Sequence, residues 1–172
     1  MENLVHTLND AIKAKLNIRR VEYLGLAETA IRRDANSEMG IPALIRTDGE
    51  ARPTFYDDKT ALTIYHRLNN TTYETQRNSG YGDTPKLTAT YELAIVACGM
   101  RAKINPYTLE HTISRTIAAL QVQGYELTPI RSNHNRMQVW SEEYSGLKFP
   151  LEMPIFLFKT TYRVTAQQTP CN

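Results

Sequence analysis

The chain has 172 residues, enough for one domain that buries roughly two-thirds of its unfolded surface without a disulfide or metal to staple it. Apolar residues make up 41% and charged residues 22%, and a formal charge of +2 gives no general attraction to nucleic acid or to an anionic membrane. The first segment has no apolar signal core, and no run approaches the ~18 consecutive apolar residues of a membrane span, so the sequence predicts no leader peptide and no membrane partner.

In chain order, Leu4, Val5, Leu8, Ala11, Ile12 and Leu16 recur at three- and four-residue spacing and predict a helix over "MENLVHTLNDAIKAKLN". "IRRVEYLGL" predicts a short strand stopped near Gly25, and "AETAIRRDANSEMG" an irregular polar stretch or a helical turn. "IPALI" predicts a strand, with Pro42 marking an edge or a strand start. Asp48-Gly49 predicts a turn, and "TFYDDKT" a short strand or loop.

In "ALTIYHRLNNTTYETQ", Leu62, Ile64, His66 and Leu68 alternate with Thr63, Tyr65 and Arg67, the period of a strand. After a polar, glycine-containing loop, Leu87, Ala89, Tyr91 and Leu93 alternate with Lys86, Thr88, Thr90 and Glu92. From Leu93 to Cys98 every residue is apolar or small, which predicts a strand exposed on one face near the loop and covered on both at its far end. The two long strands read as a hairpin arm, residues 61–98, that starts in a sheet and projects past it.

Asn105 can cap a second helix with Pro106 in its first turn, and Leu109, Ile113, Ile117 and Leu120 form its stripe, with Gly124 as its stop. "LTPIR", "RMQVWSEEY" and "PIFLFKTTYRVTA" predict three more strands, and residues 167–172 a disordered tail. Strands and helices do not alternate regularly. The expected fold is therefore α+β: one domain over residues 1–166, with a mostly antiparallel sheet and two principal helices packed on it.

The chemistry-bearing residues form no strong motif. Cys98 lies in an apolar strand as a small hydrophobe, and Cys171 ends the chain; their spacing fits neither a zinc site nor a redox pair. His6, His66, His111 and His134 show no metal-ligand spacing, so the plain reading is surface or hydrogen-bonded histidines. Asp57-Asp58 and Glu142-Glu143 are adjacent, and neighbours on a strand point to opposite faces, so neither doublet is expected to share one site. "GYGD" lacks the GK[ST] ending of a phosphate loop. No catalytic residue, cofactor or metal is predicted. Tyr65, Arg67, Tyr73, Arg77 and Tyr81 interleave aromatic and basic side chains as a single-strand nucleic-acid surface would, although tyrosines suit half-exposed strands and protein interfaces equally.

The polar hairpin tip has little of its own domain to order it, which points to association with a partner. The run "VEYLGLAETA … IPALIRTDGE … ALTIYHRLNNTTYE … ATYELAIVACG … EHTISRTIAAL … PIFLFKTTYRV" resembles small structural proteins of the head–tail joining region of long-tailed phages and prophages, and the element order is similar to that of the tail-terminator group. The pattern is also similar to that of head–tail adaptors and tail-completion proteins. The resemblance implies a non-enzymatic virion protein, made in the bacterial cytoplasm. It would form a homo-oligomeric ring, usually sixfold, that caps the tail tube or joins tail to head while DNA passes through the channel. Its partners would be further copies of itself, tail-tube proteins and neck or connector proteins. Tyr73, Arg77, Tyr81, Asp83 and Lys86 on the arm would then be the partner-binding residues. The alternative is a small α+β enzyme or nucleic-acid-binding domain of unknown substrate.

Overall fold

The computed structural model describes residues 1–33, 40–53, 60–76, 86–100, 104–148 and 155–168. The elements are α1 (Glu2–Lys15), β1 (Val21–Arg33), β2 (Gly40–Arg46), β3 (Ala51–Pro53), β4 (Leu62–Gln76), β5 (Lys86–Met100), α2 (Pro106–Ala119), β6 (Tyr125–Asn133), α3 (Arg136–Glu143) and β7 (Ile155–Gln168). The strands form one seven-stranded sheet in the order β3-β2-β1-β4-β5-β7-β6. Every neighbouring pair is antiparallel except β1 with β4. The α+β class with a mostly antiparallel sheet is the observed fold.

Alternation along the central strands builds two cores. On one face, Leu4, Val5, Leu8 and Ile12 of α1 and Leu109, Ile113 and Ile117 of α2 meet Ile64, Leu93, Ile95, Ala97, Phe158 and Val164. On the other face, Val139, Trp140 and Tyr144 pack against Leu44, Tyr65, Val96, Cys98 and Leu157. The run from Leu93 to Cys98 is buried on both faces, as its unbroken apolar character predicts. At this root of the sheet even one extra methyl is too large. A Cβ on Gly99 would stand 2.8 Å from the Ala61 carbonyl oxygen and 2.8 Å from the Phe156 ring.

Several local expectations are corrected. "RMQVWSEEY" is a helix, not a strand: Asn135 caps it by accepting from the Gln138 amide at 3.2 Å, and Val139, Trp140 and Glu143 share its buried side. An apolar alternation of so few residues fits either period, and the cap decides it. β1 does not stop at Gly25. Gly25 takes φ +65°, a left-handed conformation that glycine adopts without penalty, and the strand passes through it with a register shift between Tyr23 and Leu26. Residues 27–33, expected to be irregular, continue β1 and pair with β2. α2 ends at Ala119, before Gly124, which instead turns the chain into β6 at φ +80°. Gln167 and Gln168, expected in a disordered tail, extend β7 and pair with Thr88 and Leu87.

The turn at Asp48-Gly49 is present: Gly49 has φ +82°, and its amide donates to the Arg46 carbonyl at 2.8 Å. The short strand here is Ala51–Pro53, and "TFYDDKT" lies mainly in residues 54–59, outside the described residues. The long hairpin is present over Leu62–Gln76 and Lys86–Met100. It projects past β1, but not past β7, which pairs with β5 from Leu87↔Gln168 to Met100↔Ile155.

Candidate functional site

Three places gather the chain's polar chemistry. The first is sealed. His66, expected only to be surface or hydrogen-bonded, is fully buried beneath α1. Its Nε2 lies 2.7 Å from Asn9 Oδ1, an acceptor, so Nε2 carries the proton; its Nδ1 then accepts from the Tyr162 hydroxyl at 2.9 Å. Burial, with His6 nearby, pushes the imidazole down to about 3, so it is neutral. Burial raises the Tyr162 hydroxyl as well. Each ring nitrogen has one partner, and the triad ties α1 to β4 and β7.

The second place lies on the opposite face. The Glu143 side chain, fully buried, accepts from Arg67 Nη1 at 2.9 Å and Lys159 Nζ at 3.0 Å. Lys159 also donates to Glu142 at 2.9 Å, and that bond holds the Glu142 carboxyl below its usual range. The adjacent acids therefore share one cation. The strand geometry that was to separate them does not apply, because they sit on α3. The Tyr65 hydroxyl is buried beside Tyr144 and Glu143 without a hydrogen bond of acceptable geometry, and burial first of all raises its pKa. Tyr65 lies under α3 and Arg67 is held by Glu143, so the interleaved aromatic–basic row does not form one stacking surface. Cys98 is buried, and burial pushes its thiol up, in keeping with a small hydrophobe. Among the described residues no three His, Cys, Asp or Glu side chains gather in a metal-binding set, and no helix is long and apolar enough to cross a membrane.

The third place is open. β1 pairs with β4 from Val21↔Leu62 to Leu26↔His66, then turns to β2 from Ala27↔Arg46 onward. β4 runs on to Gln76, and no described strand covers that side of it. The fork leaves a cleft of about 580 Å³, lined by residues 26–29 of β1, by Ile45, Arg46 and Thr47, and by Arg67 and Leu68 of β4. Ile31, Ile45 and Leu68, at or near the fork, are 38–46% exposed. A bulge between Leu68 and Asn70 then resets the alternation. Past it, Thr71 and Tyr73 lie opposite Tyr91 and Ala89, on the α1/α2 face.

Of the expected partner-binding residues, Tyr73 stands on this open edge at 63% exposure, near Tyr91. Lys86 opens β5 opposite Gln76. Arg77, Tyr81 and Asp83 lie outside the described residues. Sequence reasoning missed Ile45, Leu68 and, on the far border of the sheet, Ile130, which is 43% exposed. The Asn69-Asn70 pair inside a strand was the available signal, because asparagine is depleted in strands.

Comparison with protein-family models and with curated proteins finds no match to this chain.

Proposed function

We propose that this chain is a non-enzymatic structural protein of a long-tailed phage or prophage. In this reading it builds a ring of like copies that caps the tail tube or joins tail to head, made in the host cytoplasm and carried in the virion. One observation supports it above the others. Among the described residues, no strand covers the β1 side of β4 over residues 69–76, and β6 forms the opposite border of the same sheet. Unpaired strand edges invite a further chain, and a ring needs two different patches that meet head to tail. The buried histidine triad and the Glu143 cluster have their main polar groups engaged within the fold, which suits a structural part.

The test is native mass spectrometry across a concentration series, with negative-stain images of the largest species. A ring with a central hole is the expected result. A chain that stays monomeric alone and also fails to bind purified tail tubes overturns the reading.

A further inference from the structure

The geometry points to where one copy meets the next: the β4 edge that no described strand covers, at residues 70–73, receives Tyr125–Thr128 on the β6 edge of a second copy, in antiparallel pairing beside the fork. This rests on the ring reading above and adds to it an interface and a register.

The strand pairings carry the argument. Level by level across the sheet, Tyr125 aligns with Ala166, Ala89 and Tyr73; Glu126 with Thr165, Thr90 and Thr72; and Thr128 with Arg163, Glu92 and Asn70. Pro129 aligns with Tyr162, Leu93 and Leu68. So Tyr125–Pro129 of β6 stand at the same height as the part of β4 that β1 has left. A second copy turned about an axis roughly along the strands, with no slide, sets its β6 against that bare edge.

Direction agrees with position. β4, β5, β7 and β6 are successively antiparallel, so β6 runs opposite to β4. Rotation about such an axis preserves up and down. The junction is then antiparallel too, the more stable pairing. Exposure agrees as well: Ile130, next to Pro129, stands near the height of Leu68, so the junction brings one exposed apolar residue from each border to about the same level. Pro129 lacks an amide hydrogen, and past the bulge between Pro129 and Arg131 the residues Ser132 and Asn133 stand level with His66 and Tyr65, where β1 still lies beside β4, so pairing is confined to Tyr125–Thr128. The arrangement is heterologous and can close into a ring.

The test uses the full chain with Cys171→Ser, which leaves Cys98 buried. Thr72→Cys and Glu126→Cys are introduced singly and together, oxidised, and run on a non-reducing gel. The double variant is expected to give a ladder beyond dimer, while each single variant stops at dimer. In parallel, Leu68→Glu and Ile130→Glu are expected to melt as the parent does, because both side chains are exposed, but to assemble about tenfold more weakly or worse. An intact oligomer with no ladder, unaffected by either glutamate, overturns this interface and leaves the ring reading standing. A chain that never ladders and stays monomeric with and without tail tubes overturns both.

Discussion

Leu68 and Leu93 face each other across β4 and β5, yet Leu93 is fully buried and Leu68 is 46% exposed. The two side chains are the same and the strands are paired, so the difference comes from what lies beside them. Leu93 sits in the middle strands, under the core that α1 and α2 build. Leu68 sits one step past the place where β1 leaves β4. On the root side, β4 has a neighbour on each edge and helices on each face. On the far side, β5 is its one neighbour among the described strands. One strand pair therefore passes from a region that holds the fold together to a region free to meet something else.

Truncating this pair probes the division most directly. Leu93→Ala removes a fully buried side chain from a closed core and is expected to cost about 3–4 kcal/mol. Leu68→Ala at the open border is expected to cost less than about 1 kcal/mol. Urea unfolding of both variants measures this, and equal costs would mean that the border is packed and the division false. Glu143 gives a similar check on the α3 face. Glu143→Ala leaves Lys159 and Arg67 without their shared carboxylate; water still reaches Arg67, so the loss belongs at the low end for buried pairs, about 3 kcal/mol. A loss below about 1 kcal/mol would show that the cluster does not brace α3 against β4 and β7.

The histidine triad sharpens the comparison through pH. In the unfolded chain His66 titrates near its ordinary 6.5, and in the fold only near 3. Below about pH 6.5 the unfolded state takes up a proton that the folded state refuses. Stability is therefore full at neutral pH and falls as pH drops through the window from 6.5 to 3, by about 2 kcal/mol between pH 7 and pH 5. Denaturation at a series of pH values should show this slope, and His66→Gln should flatten it. An unchanged slope in that variant would assign the acid sensitivity to other groups.

The root was the legible part of the sequence. The α1 stripe, the Asn105 cap and the apolar run from Leu93 to Cys98 all carry strong local signals, and each stands where those signals place it. The misread elements are those governed by distant partners. Residues 27–33 look polar because β1 is half exposed over 27–32 and is held as a strand by its pairing with β2. α3 looks like a strand because so short a segment fits two periods, and only its cap and its buried Glu143 separate them. His66 reads as one more alternating strand residue, and its partners lie at positions 9 and 162. The open border is hardest to read, because a missing neighbour leaves no mark in the sequence; only the asparagines beside the bulge and the tyrosine beyond it hint at it.

Tyr73 gives the smallest effect on the fold and the cleanest separation of the two regions. It is 63% exposed, so Tyr73→Ala should change the unfolding free energy by no more than about 0.5 kcal/mol. Its height on the sheet matches Tyr125 on the far border, so in a head-to-tail ring the two tyrosines of neighbouring copies come side by side. Aromatic side chains at such contacts add more than their area alone. Tyr73→Ala should then weaken assembly in native mass spectrometry, and Tyr73→Phe, which keeps the ring, should restore most of it. Should both variants assemble as the parent does, the tyrosine faces water in the ring as well as in the single chain, and the contact between copies is carried below it, by Leu68 and the fork. Should Tyr73→Ala instead unfold early, the border belongs to the core after all, and the bare edge of β4 is part of what stabilises the domain.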